Sequence, residues 1–319
     1  MSAKPLILAN VTKRFGDFAA VNDLSFAVRK GEIFGFLGPN GAGKTTTLRM
    51  ILDIIPPTSG AIEILGSPSA ISVRHRIGYL PEERGLYRKM KAAETIAYFA
   101  SLRGVPRKEA RARAERLLAR FGLGEFARAK NESLSKGMAQ KVQLLSTIAH
   151  DPEFLILDEP FTGLDPINQS TLEELIAELK AEGRTIIFST HTMQHAERLC
   201  DRFLILAKGE KRFEGTLEEA RASFPPRLVV CTRDAVDPIA RAPGVKSVEA
   251  APSREGGDRD YIVELQRGVD PNTVLRAAFD AGMHLSRFEH TNASLHDIFV
   301  AIVGAAAESA LEPAREQAA

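Results

Sequence analysis

The sequence predicts two domains. One is an α/β domain with a mixed sheet core over residues 1–222, carrying a helical insertion at about 86–148; the other is a smaller α+β domain over 228–305. Three observations predict this. The stretch Gly38-Pro39-Asn40-Gly41-Ala42-Gly43-Lys44-Thr45-Thr46 fits G-x-x-x-x-G-K-[ST] and joins the apolar run Ile33 to Leu37 to a helical run from Thr46 to Asp53. The runs Phe154 to Leu157 and Thr185 to Ser189 are apolar enough to be strands buried on both faces, as parallel strands are. Beyond Phe224-Pro225-Pro226 the pattern changes to β-α-β-β-α-β.

The Gly38 to Thr46 stretch is built to hold a triphosphate. Without Cβ atoms, Gly38, Gly41 and Gly43 let successive backbone N–H groups point inward, and the helix opening near Lys44 adds its N-terminal dipole. Lys44 reaches the β- and γ-phosphates, and the Thr45 hydroxyl ligates Mg²⁺. A Gly-rich turn with no ligand would need none of the Lys-Thr register.

Before that stretch, Leu6-Ile7-Leu8 and Leu24 to Val28 read as strands, and Lys13-Arg14-Phe15-Gly16 between them reads as a loop. An aromatic beside a glycine there either stacks on a base or plugs the edge of a small sheet. After it, Pro56-Pro57-Thr58-Ser59-Gly60 turns the chain into a strand over Ala61 to Leu65. Ile77 to Leu80 is a further strand that ends at Pro81-Glu82-Glu83. Residues 92–103 and 107–121 read as helices separated by Gly104-Val105-Pro106.

Leu134-Ser135-Lys136-Gly137-Met138-Ala139-Gln140 leads into a helical run over Val142 to Ala149. Ser135 suits an N-cap, and the same helix start could bind an anion. The strand Phe154 to Leu157 ends in Asp158-Glu159. Two carboxylates at a strand's carboxyl end are either a solvated terminus or a divided site, Asp158 holding Mg²⁺ and Glu159 taking a proton from an attacking water. Asp165 is an N-cap before Pro166. The strand from Thr185 ends at Thr190-His191, where a neutral His can donate to a phosphate oxygen. His191 and His195 have a metal-like spacing but lack a third ligand, which argues against zinc.

With 44% apolar and 26% charged residues and a net charge of +1, the chain is an ordinary globular protein without the strong field that nucleic acid or an acidic membrane attracts. Cys200 and Cys231 have no metal spacing and read as reduced thiols of the cytoplasm. The N-terminus lacks the apolar core of a signal peptide, and no run reaches the roughly 18 apolar residues of a membrane span. A membrane role would need another chain to supply the span.

In this order the motifs resemble the nucleotide-binding domain of ABC transporters, over roughly residues 4–222. Gly38 to Thr45 match the family's Walker A loop, Leu155 to Glu159 its Walker B strand with the catalytic glutamate, Leu134 to Gln140 its signature loop, Gly163 to Asp165 its D-loop and His191 its switch histidine. Phe15 takes the place of the aromatic that stacks on adenine. Two positions depart from the usual pattern: Glu82 stands where glutamine is common, and the signature reads Leu-Ser-Lys-Gly-Met instead of Leu-Ser-Gly-Gly-Gln. Both variants resemble a bacterial subfamily serving ABC-2 type exporters, including sodium and drug efflux systems.

That resemblance implies a P-loop NTPase of ABC ATPase type that binds ATP and Mg²⁺, with Thr45, Asp158 and Glu82 toward the metal and Glu159 and His191 at the reaction. It implies a head-to-tail dimer, of two copies or of this chain with a relative, in which Ser135, Gly137 and Asp165 of one chain close the partner's ATP site. It further implies a separate membrane permease as partner, a peripheral position on the inner face of the cell membrane, and no nucleic acid. The alternative is a soluble ABC-type ATPase acting on nucleic acid or ribosomes. A GTPase or small-molecule kinase is disfavoured, because no Asn-Lys-x-Asp motif occurs.

After a linker at 223–227, the second domain reads as strand Leu228 to Thr232, helix Val236 to Ala242, strand Val245 to Ala250, turns over Ser253 to Asp260, strand Tyr261 to Leu265, helix Pro271 to Ala281, strand Leu285 to Glu289 and helix Ser294 to Val303. This is the order of a split βαβ, ferredoxin-like unit. Residues 306–319 are expected to be a disordered tail.

Overall fold

The computed structural model describes residues 4–83, 85–250 and 259–308. These divide into two compact units, one ending at Thr216 and one beginning at Leu217.

In the first unit, the elements in chain order are β1 (Leu6–Phe15), β2 (Phe18–Val28), β3 (Ile33–Leu37), α1 (Lys44–Ile51), β4 (Ser59–Ile64), β5 (Ile77–Leu80), α2 (Ala92–Leu102), α3 (Arg107–Arg120), α4 (Lys136–Ile148), β6 (Phe154–Asp158), α5 (Pro166–Ala181), β7 (Thr185–Thr190), α6 (Met193–Leu199), β8 (Arg202–Ala207) and β9 (Glu210–Gly215). A six-stranded sheet runs in the order β5-β6-β7-β3-β8-β9. Every residue of β3, β6 and β7 is buried, as continuous apolar runs covered on both faces require. These strands pair in parallel with level carboxyl ends. Leu80 lies opposite Leu157, Asp158 opposite Ser189, and Leu37 opposite Thr190. Whatever follows β5, β6, β7 and β3 is therefore gathered at one rim of the sheet.

A second, antiparallel sheet has the order β2-β1-β4. Its core-facing side packs on the first sheet, with the Phe26 and Phe34 rings stacked at 5.4 Å. β1 and β2 are longer than the sequence reading and meet in a tight hairpin, so Phe15 ends a strand opposite Phe18 and does not sit in a loop. Register shifts along β1 and a left-handed Asn10 break its alternation, which hid the strand's length. The insertion is helical as expected, α2 and α3 lying beside α4.

The second unit contains α7 (Leu217–Ala222), β10 (Arg227–Thr232), α8 (Asp237–Ala240), β11 (Val245–Ala250), β12 (Arg259–Leu265), α9 (Asn272–Asp280), β13 (Leu285–Thr291) and α10 (Leu295–Glu308). Residues 217–222, expected in the first domain, form α7, which packs on α10; Arg221 Nε donates to the Ala293 carbonyl at 3.1 Å. The sheet order β11-β12-β10-β13, with every neighbouring pair antiparallel, is that of a split βαβ unit. Leu228, Val230, Val263 and Leu265 bury one sheet face against Ile239, Val274 and Ala278 of the helices. α10 continues through Glu308, so residues 306–308 are helical and not tail; 309–319 lie outside the described residues. The turns expected over 253–260 fall largely at 251–258, also outside them, whereas Arg259 and Asp260 belong to β12. Among the described residues no helix is long and apolar enough to cross a membrane.

Candidate functional site

The loop from Gly38 to Gly43 bridges β3 and α1. Gly43 has φ +103°, and a Cβ there would stand 2.5 Å from the Ala20 carbonyl oxygen, so only glycine meets both the dihedral and the packing. Lys44 is 6% exposed. Its Nζ donates to the Gly38 carbonyl at 2.7 Å and to the Pro39 carbonyl at 3.3 Å, and stands 3.6 Å from Glu159 Oε1. Thr45 and Thr46 follow on the first turn of α1, while Asn40, Gly41 and Ala42 complete the loop; Ala42 N donates to the Pro39 carbonyl at 3.2 Å.

The two carboxylates at the end of β6 sit in different surroundings. Asp158 is 1% exposed. Its Oδ1 accepts from Ser189 Oγ at 2.5 Å, and its buried Oδ2 has no hydrogen-bond partner. A buried, half-satisfied carboxylate is costly unless a cation or water completes it, so Asp158 fits a Mg²⁺ site. Glu159 has a left-handed backbone, φ +48°, an arrangement that costs on the order of 1–3 kcal/mol and turns its side chain out of the strand toward the phosphate loop. The Ser189 hydroxyl accepts from Glu159 N at 3.0 Å. His191 Nδ1 donates to Glu159 Oε1 at 2.9 Å. Sequence reading aimed His191 at a phosphate; here it holds the glutamate, and Lys44, Asp158, Glu159 and His191 form one cluster.

Two further helix starts converge on each other. Ser135 caps α4, its Oγ accepting from Met138 N at 3.2 Å; Asp165 caps α5, its Oδ1 accepting from Asn168 N at 3.0 Å. Asn168 Nδ2 also donates to Asp165 Oδ2 at 2.6 Å, and a Cβ on Gly137 would stand 2.6 Å from that same Nδ2. Gly137 and Asp165 are thus locked together through Asn168. Gln140 Nε2 donates to the Pro160 carbonyl at 3.2 Å, tying α4 to the residue after Glu159.

Glu82 lies exposed on the loop after β5, and among the described residues no hydrogen bond or ion pair joins it to Asp158 or Thr45. Gln143 Nε2 on α4 holds that loop through the Glu83 carbonyl at 3.2 Å. Phe15 is 53% exposed, with Lys13 Nζ 5.1 Å from its ring centroid. His195 is a packing residue, stacked on Phe161 at 3.9 Å with Nδ1 donating to Glu173 Oε1 at 2.8 Å. Ser189, Asn168 and Gln140 were missed as site residues, although Ser189 was visible as a hydroxyl at the carboxyl end of a buried strand.

Comparison with known proteins matches residues 21–162 to the family described as "ABC transporter", and residues 215–303 to "ATP-binding protein DrrA1-3-like, C-terminal domain". The Bacillus subtilis protein named uncharacterized ABC transporter ATP-binding protein YhaQ is 40% identical over 304 residues, covering 95% of this chain and 100% of that protein. The chain belongs to the ATP-binding proteins of ABC transporters. It is the ATP-hydrolysing type of subunit, on the P-loop fold of ABC cassettes. A second relative, the Burkholderia thailandensis "Nod factor export ATP-binding protein I", is 35% identical over 311 residues, 95% of this chain and 98% of that protein. A solved dimeric ATP-binding cassette in a post-hydrolysis state, bound to ADP and Pi, superposes with a TM-score of 0.62 at 26% identity, covering 66% of this chain and 98% of that one.

Proposed function

We propose that this chain is the ATP-hydrolysing subunit of an ABC-2 type exporter, working as a head-to-tail dimer beneath a separate membrane permease. The observation that carries the exporter reading is the similarity to a Nod factor export protein, which runs through both units and is not confined to the cassette. The Lys136 variant of the signature loop and the matched C-terminal domain agree with it.

In this reading Lys44 exchanges the Gly38 and Pro39 carbonyls for the β- and γ-phosphate oxygens, and the loop N–H groups and α1 N-terminus hold the rest of the triphosphate. Thr45 and Asp158 would hold Mg²⁺, which when bound would supply charge neutralisation for the phosphates. Glu159 accepts the proton of the attacking water, while His191 fixes the glutamate's orientation and Ser189 fixes the backbone beneath it. Phe15 stacks on the adenine. Ser135, Gly137 and Asp165 cover the partner's γ-phosphate, drying a site that a single loop leaves open on one side. Glu82, on the loop that Gln143 ties to α4, would be a further carboxylate toward the metal or its water. The chain is then peripheral on the inner face of the membrane, held there by its permease.

Tagging the chain in its native cells with Glu159→Gln, and identifying what accompanies it from detergent-solubilised membranes, tests this. A multi-span membrane protein is expected. Ribosomes or nucleic acid from the soluble fraction, without a membrane partner, would overturn the exporter reading.

A further inference from the structure

The whole-chain charge of +1 conceals an asymmetry. Over residues 86–149, the stretch that holds α2, α3 and α4, fourteen Lys and Arg stand against five Glu and no Asp, a net charge of +9. Subtracting that from the total of +1 leaves −8 for the rest of the chain. Such a split gives one region a field that the average hides.

The cations crowd where α2 ends and α3 begins. Arg103, the residue after α2, donates from Nη1 to the Arg74 carbonyl at 2.9 Å, which sets the two arginines side by side. Burial and the neighbouring Arg74 charge both pull the Arg103 pKa down, and no carboxylate acts against them. α3 opens with Arg107 and Lys108 in its first turn, and Arg111 follows one turn later. Cations at that end oppose the helix dipole, so the stability of α3 does not account for them. Among the described residues Arg74, Arg107, Lys108 and Arg111 make no ion pair. Of the two acids on α3, Glu109 is taken by Arg113 at 2.6 Å, which leaves Glu115 alone against the cluster.

Apolar side chains share this end of the hairpin. Leu102, the last residue of α2, is 57% exposed, and Tyr98, one turn earlier on the same side, is 40% exposed. Gly104 and Pro106 in the connection are exposed too, so the tip is open to a flat partner. An exposed leucine and tyrosine set among arginines and lysines is the composition of an element at a bilayer surface, where the apolar side chains enter the headgroup boundary and the cations meet lipid phosphates. Nucleic acid offers phosphates but no hydrocarbon phase for Leu102.

We propose that the tip of the α2–α3 hairpin is a membrane-contact surface, at which Arg74, Arg103, Arg107, Lys108 and Arg111 bind the phosphates of anionic lipids and Leu102 enters the headgroup boundary beside them. The chain then has an affinity of its own for an anionic leaflet, in addition to its hold on a permease. This deepens the peripheral position proposed above and rests on it for its setting, while the affinity itself is a property of this chain alone. Five clustered cations fall within the about four to eight that anionic-lipid recognition uses.

The test is co-sedimentation of the purified full-length chain, without permease or nucleotide, with vesicles of phosphatidylcholine alone or containing about one third phosphatidylglycerol. The wild type is expected to bind the anionic vesicles at least about tenfold more strongly, and to lose that excess as rising salt shortens the Debye length. The triple variant Arg107→Gln, Lys108→Gln, Arg111→Gln is expected to lose at least about tenfold in binding, whereas R107K/R111K keeps it because lipid phosphates need the charge and not the guanidinium geometry. Leu102→Ser is expected to weaken binding without changing its salt dependence. ATP hydrolysis in solution is expected to match the wild type in each variant, which shows that the variants are folded. Equal binding of the wild type to neutral and anionic vesicles, or a triple variant that binds anionic vesicles as the wild type does, would overturn the proposal. So would a wild type that prefers a nucleic acid duplex of equal phosphate content, or a triple variant that keeps its vesicle binding and loses the permease in the detergent experiment above, which would make the tip a permease contact. No permease in that experiment with vesicle binding intact counts against the exporter reading alone; a recovered permease with no vesicle binding counts against this proposal alone.

Discussion

At the residue scale, the site rests on a few side chains held at a level rim, and the phosphate loop was legible because its whole requirement is local. Gly38 to Thr45 must form one turn, and the sequence states it in one stretch. Ser189 and Asn168 escaped because their partners, Asp158 and Gly137, lie 31 residues away in both cases and become neighbours only through strand register and helix packing. His191 was singled out from the sequence, yet its contact with Glu159 follows from β6 and β7 being adjacent, which the chain order does not state. Lys44→Ala is expected to abolish measurable nucleotide binding, since no other side chain in the loop carries a positive charge. Equilibrium binding of a labelled ATP checks this. Affinity within a few-fold of the wild type would contradict the cradle.

At the scale of elements, strands with an apolar run or a turn at each end were readable, the edge strands β5 and β11 among them, and so were strong caps, whereas β8 and β9 were not assigned. The run at β8 resembles β6 in its apolar character and could have been assigned, but β9, Glu-Lys-Arg-Phe-Glu-Gly, is a sheet edge without alternation and gives no such signal. The junction of α4 with α5 makes a packing prediction. Gly137→Ala is expected to destabilise the protein by about 1–3 kcal/mol, because its Cβ strikes the Asn168 amide that is tied to Asp165. Gly137→Ala with Asn168→Ala should regain part of that loss, as a denaturant double-mutant cycle would measure.

The seating of α4 on β5 makes a second element-scale prediction, through His150. Its Nε2 donates to the Ile77 carbonyl at 3.0 Å, its Nδ1 is buried without a partner, and burial pulls its pKa down to about 4. The unfolded value is about 6.5, so between these limits the unfolded chain binds more protons. Stability is then full above about pH 6.5 and falls as pH drops toward 4, by up to about 3 kcal/mol. Unfolding titrations should follow this slope in the wild type and lose much of it in His150→Gln, which keeps a donor for Ile77.

At the scale of the whole molecule, the sequence announced two units and both folds, because each has its own element order, but it set the break a helix too late. Ala222 was read as the end of a cassette, whereas α7 packs on α10 far along the chain, a contact that local composition does not encode. The proposed hydrolysis needs the loop of Gly38 to Thr45 together with the strained, nearly buried Glu159 at the end of β6. The measurement that tests it most directly is steady-state ATP hydrolysis by purified wild type and Glu159→Gln, with bound ATP quantified in parallel. Turnover is expected to fall by roughly 10²–10⁴-fold while ATP binding persists, the usual contribution of a positioned base. Near-normal turnover in Glu159→Gln would contradict the assignment of the reaction to this site.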